Sequence, residues 1–366
     1  MTRNFSNREI IVGSLCGKVY FLDYETGKKS RLEYDGMNPI KGTMSIDPSM
    51  NGNLYVGQGI PDTIPFGAFV YNLYTNRKIS FFKRDPKAKR RWSAYDSSPI
   101  AVGGFVFRPG ENGIIYKLAA DEKKVEVHSS LNYTVHGQAP GIESSMAVSR
   151  NYGYVADNYG NVIAVNLNNM KPVWVHNNFD DTDATIVVEE ENDVPFLYTG
   201  CEIDSQGEEG KCLFTKLNGL TGEMVWSTPI TGKCVVEIKK REGGMFATPL
   251  MGHGDCEGMF FSNFCIMREE ERGVFKAFDK KTGKVIYSTT LKEYSWSSPV
   301  ALFNENEEMF IFTGDTKGNV YLIRGKNGEI LFTKRIAINF ESSPIVVNNT
   351  VVVGSRGKEI YRLTIE

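Results

Sequence analysis

The stretch Gly273-Val-Phe-Lys-Ala-Phe-Asp279, followed by Thr282-Gly283 and Tyr287, contains the pattern that decides the fold of this 366-residue chain. It consists of a glycine, alternating apolar residues, an Asp or Asn, a Thr-Gly or Asn-Gly turn and an aromatic residue. Clear copies are Gly17-Lys-Val-Tyr-Phe-Leu-Asp23 and Gly318-Asn-Val-Tyr-Leu-Ile-Arg324. The weaker copies begin at Gly67, Gly113, Gly160, Gly210 and Gly357. The chain therefore contains eight copies of one unit.

The spacing of these copies predicts the fold. Successive copies begin 50, 46, 47, 50, 63, 45 and 39 residues apart. A period of roughly 40–50 residues built from short strands is typical of a β-propeller, in which each repeat forms one four-stranded antiparallel blade. The sequence therefore predicts an all-β, eight-bladed β-propeller. We expect residues 1–366 to form a single domain, because repeated units do not bury their apolar faces separately.

A second motif, Ser-Ser-Pro before an apolar run, marks the start of an inner strand. It occurs at Ser97, Ser297 and Ser342, with variants at Ser144 and Ala247. Proline at the first residue of a strand removes no ladder hydrogen bond. These anchors divide the chain near residues 1–36, 37–92, 93–137, 138–178, 179–235, 236–292, 293–336 and 337–366. The first and last units are incomplete, so a seven-bladed propeller with the two merged is the alternative. Both contain the second and third strands, however, which favours eight blades.

Charge and composition exclude some classes of partner. The formal net charge is -2, so the chain lacks the basic excess typical of nucleic-acid-binding proteins, and we expect no nucleic-acid partner. No apolar run approaches the roughly 18 residues of a membrane span. The first residues lack the apolar segment of a signal peptide. The protein is therefore either cytosolic or a mature form from which an export signal has been removed.

The six cysteines contain neither a Cys-x-x-Cys motif nor an adjacent pair, so the sequence does not indicate a zinc or thioredoxin-like redox site. Cys201 and Cys212 flank one polar insert, and Cys256 and Cys265 flank another irregular stretch. In an oxidising compartment either pair would staple a hairpin as a disulfide. The alternative is that these residues are buried free thiols.

The loops before the inner strands carry the candidate site residues. If the register holds from blade to blade, these loops open onto one mouth of the central channel. Carboxylates there would bind a cation such as Ca²⁺, or a polar ligand, beside an apolar wall. The candidates are the carboxylates Asp96, Glu143, Asp183 and Glu341, the aromatic residues Tyr294, Trp296 and Phe340, and His136. The alternative is that the carboxylates cap backbone N–H groups or pair with Lys or Arg, and that His136 is a turn residue.

The repeat resembles that of pyrroloquinoline-quinone (PQQ) dehydrogenases and their non-catalytic relatives. The residues that carry the resemblance best are Ala164-Val-Asn166 with Trp174, Asn218-Gly-Leu-Thr-Gly222 with Trp226, and Asp279-Lys-Lys-Thr-Gly283 with Tyr287. The resemblance covers nearly the whole chain and is specific for the fold rather than for a function. It implies that the aromatic residue closing each repeat packs between blades, so we do not count Trp174 or Trp226 as ligands.

Two branches of this family imply two functions. Many of the PQQ dehydrogenases, which are longer, place a pair of adjacent cysteines against the cofactor and hold a calcium ion. This chain has no adjacent cysteine pair, which argues against PQQ. The BamB-like branch consists of eight-bladed scaffolds of about this length. We therefore expect a monomeric, cofactor-free and non-enzymatic protein that recognises a protein or glycan partner through loops at one face, exported to the periplasm or cell surface. A PQQ- and Ca²⁺-dependent oxidoreductase with its site at the channel mouth is the alternative.

Overall fold

The computed structural model of the protein describes residues 8–47, 51–59, 67–82, 85–90, 94–237, 240–265 and 272–365. Its internal contacts divide the chain into two compact units. The first comprises Met1–Met146 and Leu167–Lys171, and the second comprises Ala147–Asn166 and Pro172–Glu366. Within the described ranges, the only helical element is a 3₁₀ turn at Gly254–Cys256. None of the described helical structure is long and apolar enough to cross a membrane.

The first unit contains three sheets whose strands pair in chain order. The first sheet comprises β1 (Glu9–Gly13), β2 (Lys18–Asp23) and β3 (Tyr34–Asp35). The second comprises β4 (Ser45–Asp47), β5 (Asn53–Gly57), β6 (Ala68–Asn72) and β7 (Arg77–Phe82). The third comprises β8 (Ile100–Val102), β9 (Phe105–Arg108), β10 (Ile114–Ala120) and β11 (Val125–Asn132).

The second unit contains five sheets and one additional hairpin. The first two sheets comprise β12 (Ala147–Ser149), β13 (Tyr152–Ala156), β14 (Asn161–Asn166) and β15 (Lys171–Asn177), and then β16 (Val187–Glu191), β17 (Val194–Gly200), β18 (Glu209–Asn218) and β19 (Met224–Lys233). The hairpin comprises β20 (Val235–Glu237) and β21 (Lys240–Glu242). The next two sheets comprise β22 (Leu250–Met251), β23 (Met259–Phe264), β24 (Val274–Asp279) and β25 (Val285–Thr290), and then β26 (Val300–Phe303), β27 (Met309–Gly314), β28 (Asn319–Arg324) and β29 (Ile330–Arg335). The last sheet comprises β30 (Ile345–Val347), β31 (Thr350–Gly354) and β32 (Ile360–Thr364).

The sheets confirm the predicted fold class, an all-β, eight-bladed β-propeller. Each of the eight sheets lies inside one of the eight units predicted from the repeat. Six sheets have four strands, and three strands are described in each of the first and last sheets. Both of those sheets contain the second and third strands of a blade, as the sequence indicated. The hairpin β20–β21 was not predicted, and the prediction of a single domain stays a prediction.

Local backbone geometry requires the glycine that opens the repeat at Gly318 and at Gly160. Gly318 has a φ of 80° and Gly160 has a φ of 74°, in the left-handed region that favours glycine. The carbonyl oxygen of Gly318 accepts a hydrogen bond from the N–H of Ile336 at 2.9 Å, just after the outermost strand β29. Gly160 accepts one from Asn178 in the same way after β15, at 2.6 Å. The glycine therefore connects the start of the third strand to the end of the fourth.

The Asp-x-x-Thr-Gly motif forms a tight turn between the third and fourth strands. Asp279 Oδ1 accepts hydrogen bonds from the N–H of Thr282 at 2.7 Å and from its hydroxyl at 2.6 Å. The N–H of Gly283 donates to the carbonyl oxygen of Asp279 at 2.8 Å, and Gly283 has a φ of 72°. The Asp side chain satisfies the turn donors, while glycine supplies the left-handed conformation.

The aromatic residue that closes a repeat docks its sheet onto the turn of the following sheet in the second unit. Trp226 Nε1 donates to the carbonyl oxygen of Lys280 at 3.1 Å, and its ring lies over Gly283, where a Cβ would touch it. The equivalent bonds are Trp174 Nε1 to the Gly219 oxygen at 2.9 Å and the Tyr287 hydroxyl to the Gly325 oxygen at 2.6 Å. This is the packing role that the family resemblance implies.

The Ser-Ser-Pro motif joins neighbouring inner strands at their starts. In the first unit the N–H of Ser98 donates to Ser145 Oγ at 2.8 Å. In the second unit the N–H of Thr248 donates to Ser298 Oγ at 3.0 Å, and the N–H of Ser298 donates to Ser343 Oγ at 3.2 Å. The second residue of each motif is therefore a hydroxyl acceptor that fixes the loop of the preceding sheet.

All six cysteines are free thiols. Cys16 is exposed, and the other five are buried. The structure therefore shows the buried-thiol alternative for both candidate pairs.

Candidate functional site

One position in each loop before an inner strand is partly exposed. In the extended segment Ser295-Trp296-Ser297 both serines are fully buried, while Trp296 is partly exposed. The same alternation exposes Asp96 and Glu143 in the first unit, and Asp183, Phe246 and Glu341 in the second. Phe340 lies one residue earlier in its loop, at the buried position. It packs on Tyr361 with the ring centroids 5.8 Å apart and belongs to the core of the last sheet.

Three carboxylates lie together in the first unit. One carboxylate oxygen from each of Asp96, Glu111 and Glu143 lies within 4.8 Å of the others. The Nζ atom of Lys41 forms an ion pair with Asp96 Oδ2 at 2.8 Å. Glu111 comes from the loop between β9 and β10, so two kinds of loop build this carboxylate cluster.

Burial and one neighbouring charge raise the pKa of Glu143, whereas two other charges lower it. Burial raises the pKa of its carboxyl, and the neighbouring charge of Asp96 raises it further. The charges of Lys41 and Arg90 act the other way and lower this pKa. Two glycines leave room for the cluster, because a Cβ at Gly59 would overlap Asp96 and one at Gly141 would overlap Arg90.

The elevated pKa of Glu143 predicts a pH-dependent effect of Glu143→Gln. Because folding raises this pKa, the favourable contribution of Glu143 is complete below its ordinary pKa of 4.5 and is lost as the pH rises through the folded value. We expect Glu143→Gln, which removes the charge and keeps the shape, to raise the free energy of unfolding near neutral pH, by an amount that shrinks as the pH falls. Melting temperatures measured across the pH range should converge toward acidic pH. The exposed Glu122→Gln in the same unit is the control, and an equal gain at every pH would contradict the prediction.

Aromatic rings form a second cluster, in the second unit. Trp296 stacks on Phe246 with the ring centroids 5.2 Å apart and an interplanar angle of 30°. Tyr294 is tilted against Trp296 by 52°, with its ring centroid 6.5 Å from that of Trp296. All three side chains are partly exposed. We name Phe246, Tyr294 and Trp296 the aromatic cluster.

A buried polar network holds the loop that carries Trp296. Asn263 Nδ2 donates to Ser295 Oγ at 3.1 Å and to the carbonyl oxygen of Ser297 at 2.8 Å. Ser295 Oγ donates to the carbonyl oxygen of Gly314 at 2.6 Å. Both neighbours of Trp296 are therefore anchored. Within the part of the chain that the structure describes, Trp296 Nε1 is buried and has no hydrogen-bond acceptor.

The other candidate residues lie in different surroundings. Glu341 forms an ion pair with Arg356 and accepts a hydrogen bond from Asn339 Nδ2 at 2.9 Å. His136 is exposed at the tip of a turn, with a φ of 49°, where Val135 and Gln138 exchange backbone hydrogen bonds. Asp183 is partly exposed in the loop before β16.

The sequence predictions missed three residues of these clusters. Phe246 precedes the motif variant Ala247-Thr248-Pro249, whose alignment with Ser-Ser-Pro gives it the same position as Trp296, but the candidate residues did not include it. Glu111 and Lys41 carry no such signal, because their loops contain no repeated motif that marks their side chains.

The comparisons with known proteins concern the fold. The family model described as outer membrane protein assembly factor BamB matches residues 270–366. The structure of BamB from Moraxella catarrhalis is 14% identical and superposes with a TM-score of 0.65, covering 98% of this chain and 94% of that one. The chain is thus similar to PQQ-like repeat β-propellers, in sequence over residues 270–366 and in fold over nearly its whole length. No curated protein matches its sequence.

Other solved structures show that a similar fold does not decide the function of this propeller. A europium-containing methanol dehydrogenase is 13% identical with a TM-score of 0.67, covering 97% of this chain and 80% of that one. The computationally designed Ika8 protein has the same identity and TM-score, covering 99% and 95% of the two chains. An enzyme and a designed protein thus match the fold equally well. The comparisons are compatible with a scaffold and with an oxidoreductase.

The carboxylate cluster of the propeller fits calcium poorly. Ca²⁺ takes about six to eight oxygen ligands. Here the ammonium of Lys41 already lies 2.8 Å from Asp96, and the charge of Arg90 acts on Glu143. A calcium ion at this place would have to displace the ammonium group. The donor set fits a network of ion pairs better, so we assign no metal chemistry to it.

Proposed function

We propose that this propeller is a non-enzymatic binding protein that recognises a partner protein through the aromatic cluster of Phe246, Tyr294 and Trp296. We further propose that it acts as a monomer in the periplasm or at the cell surface. The observation that carries the proposal is the packing of three partly exposed rings on two neighbouring loops, with Trp296 stacked on Phe246 and tilted against Tyr294.

The physical properties of the aromatic cluster support recognition of a protein. Trp and Tyr are enriched among the few residues that contribute most of the binding energy at protein interfaces. Rings that are already held in position lose little conformational freedom when a partner binds. The Asn263 network holds Trp296 in this way. The similarity to a protein named as an assembly factor agrees with a protein partner.

The experiment is affinity capture from the source organism with the full chain as bait. We expect Trp296→Ala to reduce recovery of the specific partner at least about tenfold, the loss typical of an interface hot spot. The matched control is Phe332→Ala, which removes another exposed ring, on the outermost strand β29 of the sheet that follows Trp296; Phe332 is 51% exposed. Equal losses in both variants would contradict a role for the aromatic cluster.

Two parallel measurements test other functions on the same protein. If the protein bound to a glycan array and Trp296→Ala abolished this binding, the ligand would be a carbohydrate and not a protein. A rise in melting temperature that requires PQQ together with Ca²⁺ would indicate a ligand bound by the folded state and would favour an oxidoreductase. We expect neither result.

A further inference from the structure

Two buried cysteines meet at the base of the insert between β17 and β18. Cys201 directly follows the last residue of β17, and Cys212 lies within β18. Gly200 pairs with Phe214 in the ladder, which brings the two cysteines to neighbouring positions. Cys201 is 0% exposed and Cys212 is 1% exposed. Each thiol affects the pKa of the other.

The two thiols differ in acidity. Cys201 Sγ accepts a hydrogen bond from the N–H of Leu213 at 3.2 Å. The neighbouring Cys212 thiol, together with this N–H, lowers the pKa of the Cys201 thiol. Burial raises the pKa of Cys212 well above its ordinary value, and the neighbouring Cys201 raises it further. Cys201 is therefore the thiol of the pair that more readily becomes a thiolate, while Cys212 keeps its proton.

The insert itself keeps the two thiols together. The buried carboxylate of Asp180 accepts hydrogen bonds from the N–H of Asp204 at 3.0 Å and from Gln206 Nε2 at 2.8 Å. Gln206 also exchanges bonds with the backbone of Lys211, accepting at 2.8 Å and donating at 3.0 Å. The chain between Cys201 and Cys212 is thus fixed at several points.

We propose that Cys201 and Cys212 form an oxidation-sensitive dithiol that a small peroxide converts into an intramolecular disulfide. The Cys201 thiolate attacks one oxygen of hydrogen peroxide, the O–O bond breaks, and after protonation one water molecule leaves a sulfenic acid on Cys201. The Cys212 sulfur then attacks this sulfur, loses its proton, and displaces the hydroxyl as a second water. Two thiols are oxidised and one peroxide is reduced to two waters.

Geometry selects this pair and this class of oxidant. Both sulfurs are buried, so a bulky disulfide oxidant has no access to them in the folded protein, whereas hydrogen peroxide is little larger than water. In the other candidate pair, Cys256 donates to Asp255 at 3.4 Å, Cys265 donates to the carbonyl oxygen of Ser295 at 3.8 Å, and Cys265 is not among the groups that shift the pKa of Cys256.

The test uses the full chain with Cys16→Ser, which removes the exposed thiol. The folded protein is treated with hydrogen peroxide, quenched with catalase, unfolded, and its thiols are counted. We expect the count to fall from five to three, because six cysteines less Cys16 leave five. The intact mass should fall by two hydrogens, peptide mapping should link Cys201 to Cys212, and dithiothreitol should restore all five thiols. A count that stays at five, or a disulfide between other cysteines, would overturn the proposal.

Two further variants separate the steps. In Cys212→Ser we expect Cys201 to stop at the sulfenic acid, which dimedone labels, with no disulfide formed. The matched control Cys256→Ser should still form the Cys201–Cys212 disulfide. A loss of the disulfide in both variants would show that the effect comes from disturbed folding and not from the pair. The mapping on the Cys16→Ser protein decides the proposal even if Cys212→Ser does not fold.

Discussion

Replacing Gly318 by alanine is expected to lower the free energy of unfolding by about 3–5 kcal/mol, at the upper end of single substitutions. Two costs add. Gly318 has a φ of 80°, a conformation that costs a residue with a Cβ roughly 1–2 kcal/mol. The added Cβ would also overlap the carbonyl oxygen of Ala337, which is backbone and has no alternative rotamer.

The turn around Gly318 has little freedom to relax. Asp315 is fully buried, and its Oδ1 atom accepts hydrogen bonds from the N–H groups of Lys317 and Asn319, both at 3.0 Å. Its Oδ2 atom accepts one from the Tyr321 hydroxyl at 2.6 Å. A shift of Gly318 away from Ala337 would break these bonds, so the overlap is not cheaply relieved.

Gly258→Ala is the matched control for Gly318→Ala. Gly258 lies in the same unit, has a φ of 90°, and would place its Cβ with nothing within 4 Å. We expect the free energy of unfolding of this variant to fall by only about 1–2 kcal/mol, which is the conformational cost alone. Urea denaturation followed by circular dichroism measures both. If both variants lost the same free energy of unfolding, the carbonyl oxygen of Ala337 would not restrict the side chain at position 318.

The parts of the fold that depend on local backbone geometry were predictable from the sequence. A left-handed glycine, an Asx turn and a proline before a strand each require particular residue types, so they leave a repeated pattern. Gly318, Asp279 and Pro299 are such residues. For this reason the eight predicted units contain the eight sheets, and the inner strands begin after the Ser-Ser-Pro motifs.

Features that depend on tertiary packing left no such pattern. Gly210 was read as a repeat glycine, but it lies inside β18, where it pairs with Gly232 of the long partner strand β19. Neighbouring positions in these loops alternate between buried and partly exposed. Phe340 is at a buried position and Trp296 is at a partly exposed one, and the sequence did not distinguish them. Glu111 reaches the carboxylate cluster from a different loop. Only the folded chain shows that its carboxylate lies beside that of Asp96.

Arg108 is a buried cation that the sequence did not single out. It ends β9, is 2% exposed, and within the described residues none of its three guanidinium nitrogens has a hydrogen-bond acceptor. The ring of Tyr95 lies 5.5 Å from its Cζ atom and provides a cation–π contact. Burial lowers the pKa of Arg108 to about 10 from 12.5. At 1.36 kcal/mol per pKa unit, the charged form is disfavoured in the folded state by about 3 kcal/mol.

We therefore expect Arg108→Met to raise the free energy of unfolding by about 1–2 kcal/mol. Methionine keeps most of the apolar stem and removes the unpaired charge, while the loss of the cation–π contact offsets part of the gain. Arg108→Lys is the control, because it keeps a charge and shortens the reach to Tyr95, and it should be less stable than the wild type. Thermal and urea denaturation rank the three proteins. If Arg108→Met were less stable than Arg108→Lys, the positive charge itself would stabilise the fold. That result would require an anion bound beside Arg108, and the stability of the wild type would then depend on which anion is supplied.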